Sequence, residues 1–113
     1  MHEMSLAESV REIVDETARG NGARRVTVVR LEIGRLAQIE LHAMRFAFDV
    51  VKRGSLAEGA SLEINEVDGS AWCLGCSQPA LITQRGQACP HCGSCQLQVN
   101  GGDRMRVMDI EIE

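Results

Sequence analysis

Cys73-Leu-Gly-Cys76 is followed, after twelve residues, by Cys89-Pro-His-Cys92. Each Cys-x2-Cys turn directs two sulfurs at a common centre, and two such turns complete a tetrahedron around one metal ion. Four thiolates at ~2.3 Å leave no open coordination position, so the expected site is structural zinc held by Cys73, Cys76, Cys89 and Cys92. Chemistry must then lie elsewhere in the chain. Around this stretch the elements fall into a simple order. Leu62 to Val67 reads as a strand before it and Arg104 to Glu113 as a strand after it, with Met108, Ile110 and Ile112 expected on one face. Residues 71–102 therefore read as an excursion from a sheet whose flanking strands share a core.

The N-terminal half supplies the rest of that core. Ser5-Leu-Ala-Glu8 has the form of a capping box opening a helix. Along it Leu6, Ala7, Val10, Ile13, Val14 and Ala18 form the expected apolar face, with Glu8, Arg11, Glu12, Asp15, Glu16 and Arg19 opposite. Gly20-Asn-Gly22 ends it. Arg25 to Gly34 is dense in β-branched residues and reads as a strand in which Thr27, Val29, Leu31 and Ile33 alternate with Val26, Val28, Arg30 and Glu32. A second helix is expected from about Glu40 to Arg53, with Leu41, Met44, Ala47, Phe48, Val50 and Val51 on its apolar side, His42 on its solvated side and Gly54 as its stop. The fold class is α+β: two helices on a small three-stranded sheet with an inserted four-cysteine zinc-binding unit. The strand-helix-strand order from 25 to 67 allows a parallel crossover, hence a mixed sheet. The domains expected are 1–70 together with 103–113, and the inserted 71–102.

Composition narrows the function. In 113 residues there is room for one compact core and one metal-held unit. Twelve basic against sixteen acidic residues give a formal charge of −4, and from Cys73 to Gly102 the only charged side chain is Arg85. A nucleic-acid partner needs more phosphate-neutralising groups than that. No run approaches the roughly 20 apolar residues of a membrane span. Met1 to Val10 carries Glu3 and Glu8, no Lys or Arg and no continuous apolar core, so the reading is a reducing, cytoplasmic compartment, where metal is favoured over disulfides. No Gly-rich phosphate loop and no nucleophile, base and orienter set is patterned, so no enzyme is expected. Cys95 and His91 are spare donors beside the second knuckle, read as bystanders.

Met1-His2-Glu3 is the other feature with chemical content. An imidazole one residue from a free amine can chelate with that amine and the backbone amide between them, a planar nitrogen field that suits Ni(II) or Cu(II) and not zinc. By spacing alone an ordinary exposed histidine outweighs a ligand here.

Three readings are open on the residues alone. One is a metal-handling protein. Another is a zinc-ribbon module binding protein or nucleic acid. The third is an iron electron carrier, because Cys89-Pro-His-Cys92-Gly resembles a rubredoxin knuckle as well as a zinc-ribbon one.

Over its whole length the chain resembles the HypA/HybF family of nickel-insertion accessory proteins for nickel-iron hydrogenases. The resemblance is carried by Met1-His2-Glu3-Met-Ser-Leu, Arg25-Val-Thr with Leu31-Glu-Ile-Gly34, Arg45-Phe-Ala-Phe48, Gly54-Ser-Leu-Ala-Glu-Gly59, the two knuckles and Ile110-Glu-Ile-Glu113. It implies transferred Ni(II) held by His2 with Met1 and Glu3, structural Zn(II) on the four cysteines, and Glu40 as a supporting group. It also implies two partners, a nickel-handling P-loop GTPase and the hydrogenase large subunit. Monomer and homodimer are both compatible with the sequence.

Overall fold

The computed structural model describes residues 2–113. Its elements run α1 (Glu3–Gly20), β1 (Val26–Gly34), a 3-10 turn (Arg35–Ala37), α2 (Leu41–Val51), β2 (Ser61–Val67), β3 (Gly69–Cys73), β4 (Gln78–Ile82), β5 (Leu97–Gly101) and β6 (Met105–Ile112). They form two three-stranded sheets, ordered β2-β1-β6 and β4-β3-β5. The first sheet is mixed. Arg25 and Glu113 exchange backbone hydrogen bonds and Gly34 N donates to Arg104 O, so β1 and β6 run antiparallel. On the other side Arg30 pairs with Glu63 and Arg35 with Glu66 and Asp68, partners that advance together, as parallel strands require. α2 supplies the crossover between them.

The second sheet was not legible as strands. β3 pairs antiparallel with both β4 and β5, with a register shift between Ser70 and Ala71. Its strands are five residues each and carry Gly, Pro, Asn and Gln, so β propensity says little there.

Two compact units divide the chain. The first comprises residues 1–31, 39–64 and 107–113, and the second 32–38 and 65–106. The second unit thus extends beyond 71–102 on both sides.

In the first unit α1 packs on α2, and the core is built from Val10, Val14, Leu31, Met44 and Phe48, all essentially inaccessible. Periodicity placed most of these correctly, with one exchange. Ile13 is 48% exposed and Asp15 is buried. Ala7, Val10, Val14 and Ala18 define the inner face, Ile13 falls outside it, and Asp15 is held because its carboxylate accepts from Leu56 N at 3.2 Å between Arg11 and Arg19. The capping box is also corrected. α1 begins at Glu3 with His2 as its cap residue, and Ser5 lies inside the first turn without a capping bond. Glu3 in that turn complements the helix dipole where a hydroxyl cap was expected. On β6, Ile110 is half-buried but Met108 and Ile112 are exposed, because the burial alternation breaks between Val107 and Ile110 and the three do not share one covered face.

The second unit has a thinner interior. Leu36, Ala71 and Ile82 pack with Leu97 and Val99, and Cys73, Ala80 and Cys89 form an adjoining cluster. Gly34 and Gly102 close this unit with backbone in direct contact: a Cβ on Gly34 would collide with the Gly102 carbonyl, and one on Gly102 with that of Asp68. Gly102 also adopts φ +71°, which disfavours a side chain independently.

Candidate metal centre

Cys73 ends β3, Cys76 sits in the turn to β4, and Cys89 and Cys92 occupy the loop before β5. Their four Sγ atoms lie within 4.8 Å of one another, with Cys73–Cys92 at 3.6 Å and Cys76–Cys89 at 3.9 Å. A tetrahedron with arms of ~2.3 Å has edges of about 3.8 Å, so the thiols stand at the spacing a bound zinc ion demands. Cys73 and Cys89 are buried, which keeps competing water from half the set.

The two knuckles share one backbone solution. Ser77 N donates to Cys73 O at 2.8 Å, and Gly93 N donates to Cys89 O at 2.9 Å. In both, the residue four beyond the first cysteine is left-handed, Ser77 at φ 55° and Gly93 at φ 78°. Glycine takes that conformation freely, whereas serine does so at a cost. A crosslink from Leu74 N to Gln96 O and another from Cys89 N to Ser94 O hold the turns in place.

Crowding sets the thiols against each other. Burial pushes Cys76 up to about 12, reinforced by the neighbouring thiols. Cys89 also feels burial, but amide donors from Cys92 and His91, the latter 3.4 Å from its sulfur, draw it down to about 6. Cys92 is raised on balance: the Ser94 amide pulls it down, and burial and its thiol neighbours outweigh that. Four thiolates this close cannot all ionise unless a cation shares their charge, and a divalent ion removes the conflict.

Among the described residues this is the one grouping of three or more Cys, His, Asp or Glu side chains with metal-ligand spacing. Cys95 and His91 are exposed and outside it, and His42 is exposed on α2. Met1 lies outside the described residues. His2 and Glu3 are adjacent at the start of α1, with His2 Nε2 3.9 Å from Glu3 Oε2 and the imidazole side chain 54% exposed. Glu3 is itself anchored: its carboxylate accepts from Glu40 N at 3.2 Å, and that amide holds its pKa below the ordinary carboxylate value. Glu40 in turn caps α2, accepting from Ala43 N at 3.1 Å. The Glu40 cap follows local rules, but its link to Glu3 spans 37 residues and left no signal in the sequence.

The family model described as "Hydrogenase/urease nickel incorporation, metallochaperone, hypA" matches residues 1–112. The chain belongs to the HypA family. It is 53% identical over 113 residues to a hydrogenase maturation factor HypA of Azotobacter chroococcum, covering both chains completely. It is 53% identical over 112 residues to that of Rhodobacter capsulatus, covering 99% of each. The solution structure of the Ni metallochaperone HypA from Helicobacter pylori superposes with a TM-score of 0.73 at 25% identity, covering 99% of this chain and 97% of that one. HypA membership favours a metallochaperone with a four-cysteine cluster that fits zinc over a free-standing zinc ribbon or a rubredoxin-like carrier.

Proposed function

We propose that this chain is a cytoplasmic nickel metallochaperone that takes up Ni(II) at its N-terminus and delivers it during maturation of nickel-iron hydrogenase. The observation that carries the reading is the family match across residues 1–112. The chain's own residues give it a chemical form. His2 offers an exposed imidazole at the head of α1, the amine of Met1 and the intervening amide supply further nitrogen donors, and Glu3 lends a fixed negative charge beside them. A planar set of nitrogen donors suits Ni(II). Because the imidazole is solvent-facing, an acceptor can displace donors one at a time, and transfer proceeds by ligand exchange.

Cys73, Cys76, Cys89 and Cys92 hold structural Zn(II), which supplies folding energy to the second unit and no reactivity. The protein is not an enzyme in this reading. Its partners are a nickel-handling P-loop GTPase, which supplies or gates the metal, and the hydrogenase large subunit, which receives it. Calorimetric nickel titration of untagged wild type and His2→Ala tests the site. At least a tenfold loss of affinity, ~1.4 kcal/mol or more, with zinc content unchanged, is expected. Unchanged nickel affinity overturns the assignment of His2.

A further inference from the structure

The second unit carries a face that neither metal accounts for. In the β4-β3-β5 sheet, Ala71, Cys73, Ala80 and Ile82 point inward. The opposite face takes the alternate positions, with Trp72 directly across from Pro79 and Ser70 across from Leu81. An antiparallel sheet with one covered face normally turns polar side chains outward. Here Trp72 is 41% exposed, Leu81 66%, and Leu74, just beyond β3, 52%. Beside them runs a groove of about 370 Å³ whose lining includes Pro79, Leu81, Pro90 and His91 and also reaches Ala71 and Ala80, without a single Asp, Glu, Lys or Arg.

Strand addition is disfavoured at the β4 edge. Pro79 has no N–H, so it and its alternates Leu81 and Thr83 are the residues facing away from β3. The Thr83 N–H is already taken by the Gln87 side chain at 2.9 Å. The outer face of the sheet beside this edge is left uncovered by the described residues. We propose that this face docks a short, uncharged apolar segment of a partner protein, with Trp72 and Leu81 as its anchors.

Charge selects that occupant. The lining of the groove has no charged side chain, and Arg85 is the only one between Cys73 and Gly102, so the face itself offers little to neutralise phosphate or anionic lipid or to pair with a charged peptide. Area argues against a second copy. Three large side chains at these exposures offer on the order of 300 Å², within the range of functional patches. A stable dimer buries about 800 Å² per partner. A small patch centred on tryptophan fits a transient, peptide-like contact. The inference is independent of where nickel binds.

Trp72 is the chain's only tryptophan, so its emission reports the face directly. The zinc-loaded full chain is titrated with an end-capped heptapeptide alternating Leu and Thr, and with a version in which Ser replaces every Leu. Expected is a saturable blue shift with the Leu peptide alone, weakened at least tenfold in Leu81→Asp and in Leu74→Asp, with one zinc retained in each variant. The absence of a saturable shift overturns the proposal, as does equal affinity in zinc-retaining variants. Two further outcomes also overturn it by naming another occupant. One is a dimer in sedimentation that Leu81→Asp abolishes, and the other is co-flotation with phosphatidylcholine–phosphatidylglycerol vesicles.

Discussion

The two compact units reach order by opposite means. The first closes over Phe48, Leu31 and Met44, large side chains with no accessible surface. The second contains five large apolar residues between 71 and 102, namely Trp72, Leu74, Leu81, Ile82 and Leu97, and three of them face solvent. A cluster of Leu36, Ala71 and Ile82 with Leu97 and Val99 is small for a unit of this length. On the proposed reading, metal coordination supplies what apolar burial does not. In the second unit four thiols are brought to distances that a shared cation would make tolerable.

The sharpest way to break this contrast is to remove the metal ligand. Cys73→Ala should leave residues 65–106 without protection in hydrogen exchange while α1 and α2 keep theirs, since a structural zinc ion contributes on the order of 10 kcal/mol to its module. Uniform loss across the chain would show that one core serves both units. The reciprocal change is Phe48→Ala, which should cost ~3–5 kcal/mol of stability through the cavity it leaves. Its zinc stoichiometry, measured on the folded fraction, should remain one per chain.

A smaller effect concerns the N-terminus. A short peptide placed before Met1 moves the free amine away from His2, and should cost at least tenfold in nickel affinity, ~1.4 kcal/mol, without changing zinc content or helicity. Tight nickel binding by the extended chain would transfer the site to other residues. The smallest effect is electrostatic. The Glu40 amide depresses the Glu3 pKa below its ordinary 4.5, so the contact is present above that value and is lost as pH falls through the depressed one. The Glu40 amide resonance should accordingly titrate with a midpoint below 4.5. A midpoint at or above it means the hydrogen bond is not formed in solution.

What could be read in advance follows the same division. Helices and the strands of the first sheet announce themselves through period, because a large apolar core needs a regular face: Val10 and Val14, Val29 and Leu31, Met44 and Phe48 all sit where their spacing put them. The four cysteines were equally plain, since ligand spacing is a local property. The strands of the second sheet were not, because β3, β4 and β5 obtain their order from the knuckles and not from β-branched content. At the helix start, Ser5 and Glu8 matched a motif, yet the cap lies three residues earlier at His2, next to where Glu3 meets the Glu40 amide. Long-range partners of that kind, like the Leu56 amide that makes Asp15 an interior residue, leave no mark on local pattern.

The backbone contact between Gly34 and Gly102 has a genetic consequence. Every missense change from a glycine codon adds a Cβ, and at both positions the Cβ has no room. Neither codon has a neutral missense neighbour in sequence space, so in a saturation library these two sites should accept nothing but synonymous changes, whatever the status of the metal sites.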